Sequence, residues 1–167
     1  MNRRNIALAL VTSIALSACA TKAPKQLPPD PGSGISSEQT GNGAPTPGSQ
    51  ADFLAQMMGK DTIYFDTDMY NIDEADAAAL QAQAQWLMRY PNKRATIEGH
   101  CDERGTREYN LALGERRANA AKNYLVSLGV GAERLNTVSY GKERPVALGS
   151  DEASWAKNRR AVTVTID

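Results

Sequence analysis

The densest run of polar side chains spans residues 99 to 118. It reads Gly99-His100-Cys101-Asp102-Glu103-Arg104-Gly105-Thr106-Arg107-Glu108-Tyr109-Asn110 and continues as Leu111-Ala112-Leu113-Gly114-Glu115-Arg116-Arg117-Ala118. On a helix starting near Arg107, the residues Asn110, Leu113 and Arg117 are three and four positions apart and share one stripe. That stripe runs back towards the loop holding Asp102. Arg117 offers a planar fork suited to a carboxylate, and Asp102 accepts from an ammonium. The two are complementary to a zwitterion, an amino-acid-like group carrying both charges. An internal Asp102–Arg117 ion pair that merely fixes the loop is the alternative reading of the same residues. Glu115 and Arg116 read as solvated helix charges. Arg159 and Arg160 head a later strand, where one of them is expected to buttress the acidic loop.

Other chemistries fit poorly. His100 and Cys101 are adjacent, so on a strand they point to opposite faces. The chain has one His and two Cys, too few for a second pair of ligands, and neither metal nor cofactor is expected. The same alternation denies His100 the reach to activate Cys101 as a nucleophile. Asp66 and Asp102 could be drawn as a glycosidase pair, but nothing places either in the apolar pocket that a general acid needs. The expectation is a binding protein, not an enzyme. Cys101 extends the Ala95-Ile97-Gly99 face and is expected as a buried thiol.

Four strands and three helices position these groups. Thr62-Ile63-Tyr64-Phe65 is β-branched and aromatic, a first strand. Asp73 to Tyr90 is a helix with Ala77, Leu80, Ala84 and Leu87 on one face, acidic residues in its first turn, and Pro91 after its end. Lys93 to His100 alternates as a second strand. The helix from Arg107 to Leu128 turns Leu111, Ala118, Ala121, Leu125 and Leu128 to the core, with Gly129 past its end. Thr137 to Tyr140 is a third strand, Ser150 a cap for a short helix containing Trp155, and Ala161 to Ile166 a fourth strand. Phe53, Leu54, Met57 and Met58 make a short amphipathic lead-in. The order βαβαβαβ describes an α/β sandwich with helices on a single sheet. It leaves strand order and direction open.

The N-terminus carries a different message. Arg3 and Arg4 precede an apolar core from Ile6 to Leu16, too short to span a bilayer, followed by Leu16-Ser17-Ala18-Cys19. Residues 1–18 therefore read as a lipoprotein signal peptide and Cys19 as a lipidated first mature residue. Several acyl chains at about 0.8 kcal/mol per buried methylene anchor firmly. With Ala20 rather than Asp after the cysteine, the lipoprotein pattern favours the outer membrane. Residues 19–50 are rich in Pro, Gly, Ser, Thr and Gln and read as a flexible linker, leaving 51–167 as the folded domain. Of 19 basic and 19 acidic residues, loss of Arg3 and Arg4 leaves 17 against 19. That balance argues against nucleic acid as a partner.

Five separated segments carry a family resemblance: Tyr64-Phe65-Asp66, Gly99 to Asn110, Leu113 to Ala118, Ser139-Tyr140-Gly141-Lys142-Glu143 and Asn158-Arg159-Arg160. From about residue 61 to 166 the chain closely resembles the OmpA-like domains. The resemblance implies a two-layer sandwich: about four strands in one mixed sheet, two main helices and a short third. It also implies a site for the diaminopimelate of the peptidoglycan stem peptide. Asp102 would take its amino group and Arg117 its carboxylate, with Phe65, Asp66, Thr106 and Asn110 lining the pocket. For a family member with this lipobox and linker, it implies a TolB-like periplasmic β-propeller partner. A role in drawing the outer membrane inward at division follows from the same likeness.

Overall fold

A computed structural model describes residues 44–166. The expected signal peptide, Cys19 and the expected linker up to residue 43 lie outside the described residues. Helix α1 (Gln50–Met57) leads into β1 (Thr62–Tyr64), α2 (Glu74–Arg89), β2 (Arg94–His100) and α3 (Arg107–Ser127). A 3-10 turn over Ala132–Arg134 then gives β3 (Leu135–Gly141), α4 (Glu152–Asn158) and β4 (Arg160–Ile166). The strands form one mixed sheet in the order β1-β4-β2-β3. β4 pairs antiparallel with both β1 and β2, and β2 pairs parallel with β3 across the α3 crossover.

Alternation along β2 turns Ala95, Ile97 and Gly99 to the helices, as expected. There they join Ile63, Leu135 and Ala161 of the neighbouring strands and Leu80, Leu87, Ala118, Ala121 and Leu125 of the helices. Each large apolar side chain buried this way contributes about 1.5–3 kcal/mol.

The buried face of α2 is broader than the Ala77–Leu80–Ala84–Leu87 stripe, because α1 packs on its flank. Trp86 is fully buried there, edge-on to Phe53 at 5.0 Å, with Nε1 donating to Asp52 Oδ2 at 3.0 Å. Gln83 is buried too and bonded at both ends of its amide: its Nε2 donates to Lys60 O and its Oε1 accepts from Thr163 Oγ1. Apolar periodicity alone passes over both residues.

The lead-in is thus a fourth helix, in addition to the three expected. It begins before residue 51: Ser49 is its N-cap, Gly48 N–H donates to Asp52, and Gln50 Oε1 accepts from Thr165 of β4. Asp151 rather than Ser150 caps α4, accepting from Ser154 N–H at 2.9 Å. β3 starts two residues earlier than its sequence pattern suggested, since Leu135 is buried while Asn136 faces out.

Two glycines set how closely α3 lies on the sheet. A Cβ on Gly99 would fall 1.8 Å from Gly114 O, so strand and helix backbones touch here. Arg117, one turn further along α3, is thereby brought over the end of β2.

Candidate functional site

The loop between β2 and α3 is held from several sides. Thr106 is the N-cap of α3 and accepts from Tyr109 N–H at 3.2 Å. Asn110 is buried, and its Nδ2 donates to Arg104 O and Thr106 O at 2.7 and 3.0 Å. Lys142 Nζ donates to the carbonyls of Glu103 and Gly105. Gly105, at φ +83°, makes the turn that lets the chain enter the helix.

Asp102 and Arg117 open onto one cavity of about 260 Å³, together with Thr67, Asp68, Arg104 and Asn110. They do not pair with each other. Asp102 Oδ1 accepts from Arg104 N–H and Nε, and its Oδ2 accepts from Arg104 Nη2 at 2.7 Å. Arg159 Nη1 approaches the same oxygen at 3.5 Å. Burial alone would raise the Asp102 pKa, but the Arg104 contacts outweigh it and hold the carboxyl below its usual range. The Arg104 guanidinium also lies 4.2 Å above the Trp155 ring, whose Nε1 donates to Glu103. Arg159 is the buttress that was expected at the head of β4.

Arg117 is fully buried. Nε donates to Met69 O at 2.9 Å, Nη1 to His100 O at 2.8 Å and Nη2 to Asp66 O at 3.0 Å. Its guanidinium carbon sits 5.2 Å from the Phe65 ring centroid. Three of its five guanidinium N–H groups are thereby used, and the Cys101 thiol bonds to the same guanidinium. Desolvation lowers the Arg117 pKa, yet a guanidinium stays charged at any physiological pH.

The structure brings Asp102, Asn110 and Arg117 together at this cavity. Thr106 it places at the helix cap. Phe65 and Asp66 line a neighbouring cavity of about 330 Å³ and reach Arg117 through the Phe65 ring and the Asp66 carbonyl. Thr67, Asp68, Arg104 and Tyr109 also line the first cavity and had not been singled out. For Asp68 a signal existed, since Asp66-Thr67-Asp68 repeats an acid beside a strand end. Its φ of 59° is one that Asp tolerates better than most residues, and it accepts from Tyr109 Oη at 3.1 Å.

Cys101 lies beneath the cavity, 3% exposed, with Sγ donating to Asn110 O at 3.3 Å. Burial pushes its thiol up to about 11. A bulge does occur where β2 ends, but the extra residue is Tyr140 of β3, so the Cys101 side chain keeps its inward direction. His100, on the other face, stacks on Tyr140, and burial is the main cause lowering its pKa. No group of three or more His, Cys, Asp or Glu able to hold a metal occurs among the described residues.

The OmpA family model matches residues 64–159, from the end of β1 to the cap of α4, a span that includes both cavities. A peptidoglycan-associated lipoprotein of Rhizobium meliloti is 55% identical over 97% of this chain and 88% of its own length. One of Brucella melitensis is 51% identical over 97% and 92%. The chain belongs to the OmpA family, among its peptidoglycan-associated lipoproteins. The crystal structure of the Burkholderia pseudomallei peptidoglycan-associated lipoprotein superposes on this OmpA domain with a TM-score of 0.66. It is 47% identical and covers 71% of this chain and all of that one. The C-terminal domain of Helicobacter pylori MotB, 19% identical with a TM-score of 0.59, shares the fold; the match covers 64% of this chain and 84% of that one. No helix among the described residues is long and apolar enough to cross a membrane.

Proposed function

We propose that this OmpA domain binds peptidoglycan non-covalently, without catalysis, through the diaminopimelate of the stem peptide. The observation that carries the reading is that Asp102 and Arg117 share one cavity while each is held by other groups. One carboxylate and one guanidinium thus line the same cavity without neutralising each other. The ligand carboxylate lies against Arg117 and its ammonium against Asp102, taking over contacts that Arg104 otherwise makes. Asn110 and Thr106 hold the loop around the ligand, and Phe65 and Asp66 hold Arg117.

Residues 1–18 act as signal peptide, lipid on Cys19 anchors the chain in the outer membrane, and the linker lets the domain reach the wall. The lipobox supports this, as does the word lipoprotein in the relatives' names. In the same reading the chain serves a Tol-Pal system, with a TolB-like periplasmic partner, in outer-membrane integrity and in invagination at division.

Sedimentation with purified sacculi tests the wall contact. Asp102→Asn should weaken binding by tens to thousands of fold, about 2–5 kcal/mol for one partner of a desolvated charged contact. A folded Asp102→Asn chain that sediments like wild type would refute the assignment.

A further inference from the structure

The second cavity has features that the zwitterion clamp does not use. It lies between the edge strand β1, the start of α2 and α4, and is lined by Tyr64, Asp66, Asn71, Asp76, Lys157 and Arg159 among others. Asp76 is only 7% exposed. Its Oδ1 accepts from Tyr64 N–H at 3.1 Å, but its Oδ2 is buried with no hydrogen-bond partner among the described residues. A buried carboxylate oxygen without a donor costs about 1–3 kcal/mol or more, so a donor from outside would be gained at a discount. Beside it stand the amide of Asn71, the ammonium of Lys157, the Asp73 side chain that caps α2, and Tyr64, a half-exposed residue.

A buried acceptor, an amide, a cationic donor and an open aromatic face suit a neutral ring that both gives and accepts hydrogen bonds. We infer that this cavity is a glycan subsite, taking an N-acetylated hexosamine of the wall polymer. Its hydroxyls donate to Asp76 Oδ2, and the sugar's apolar face rests on Tyr64. The inference rests on the diaminopimelate reading for its placement. The two cavities are neighbours across one side chain: Arg159, a wall of the second, donates to Phe65 O at 2.9 Å and approaches Asp102 Oδ2 of the first at 3.5 Å. In a stem peptide, two residues and a lactyl link separate diaminopimelate from muramic acid. Those two residues extend about 7 Å, a reach that suits adjoining subsites.

Calorimetric titration of the full chain in detergent with three ligands tests this: the diaminopimelate tripeptide, the same tripeptide on its disaccharide, and glycan strands stripped of peptide. The disaccharide form should bind about tenfold more tightly than the bare tripeptide, the worth of one hydrogen bond to a charged acceptor. Asp76→Asn keeps the acceptor for Tyr64 N–H and turns the free atom into a donor; Tyr64→Ala removes the platform. Each should erase the preference and leave tripeptide affinity unchanged. Equal wild-type affinity for the two peptides, or a preference that survives both substitutions, would overturn the glycan subsite. Stripped glycan that binds while the tripeptide does not would sink the diaminopimelate reading and leave this one standing.

Discussion

Gly99 of β2 and Gly114 of α3 meet backbone to backbone, and that contact seats the helix carrying Arg117. A Cβ on Gly99 would lie 1.8 Å from Gly114 O and 2.6 Å from Gly114 C, both backbone atoms that cannot swing away. A Cβ on Gly114 would meet Ser139 Oγ at 2.4 Å and Gly99 O at 2.9 Å. Ser139 can rotate, but only by giving up its bond to Leu111 O at 2.7 Å. Gly99→Ala should therefore be the more damaging change. Overpacking costs about 1–3 kcal/mol and more when backbone must move. Urea midpoints rank the two; a milder Gly99→Ala would mean that α3 shifts freely.

Arg117 serves the fold as well as the ligand, so its removal does not isolate binding. The residue type alone suggests a planar fork offered to a carboxylate. Three carbonyls, of Asp66, Met69 and His100, accept from it instead, and that of His100 is buried. Arg117→Ala should cost about 3–5 kcal/mol by leaving them unpaired in a cavity. Arg117→Lys should recover part of that and still bind poorly, since a single ammonium lacks the fork. Thermal melts beside sacculus binding separate the two effects. Full stability in Arg117→Ala would contradict the role assigned to these hydrogen bonds.

His100 makes stability depend on pH. Burial lowers its pKa below the usual 6.5, partly offset by Glu98 at 3.5 Å; Arg160 and Arg144 lower it further. The unfolded chain then binds the extra proton first, so stability is complete above about pH 6.5 and falls as pH drops from there towards the folded value. The slope from this one group cannot exceed about 1.4 kcal/mol per pH unit. His100→Gln should flatten the profile in that window. An unchanged profile would mean that the proton is taken up within the fold.

The sheet and helices were legible because their faces repeat apolar residues at periods of two and between three and four. The shared stripe of Asn110, Leu113 and Arg117 was legible for the same reason. What the pattern hides is polar burial. Gln83 and Asp76 break the apolar rhythm of α2, and Trp86 lies outside its expected stripe, yet all three are buried because α1 and the β1 edge supply partners. Arg104 could not be placed from spacing, since folding back on Asp102 and extending into water are both open to a loop side chain. Only the turn at Gly105 and the Trp155 ring decide that. Phe65 and Asp66 reach Arg117 from 51 or more residues away, a contact that no local pattern encodes.

Cys101 offers a test of the register at the mouth of the site. The chain holds two cysteines, so with Cys19→Ser its thiol is the sole target for maleimide. Two effects protect it. Its sulfur is packed under the loop and donates to Asn110 O at 3.3 Å. Burial also pushes the thiol up to about 11, and at pH 8 that leaves roughly two orders of magnitude less thiolate than an ordinary cysteine has. Labelling of the native chain should be slower than labelling in denaturant by at least about a hundredfold. Because the side chain also lines the Asp102–Arg117 cavity, saturating diaminopimelate tripeptide should slow it further. If the native thiol labels as fast as the unfolded one, β2 ends in a different register, with Cys101 outward and His100 turned to the helices. The cavity would then lose its floor and the Arg117 Nη1 bond to the His100 carbonyl, and the clamp would have to be assembled from other groups.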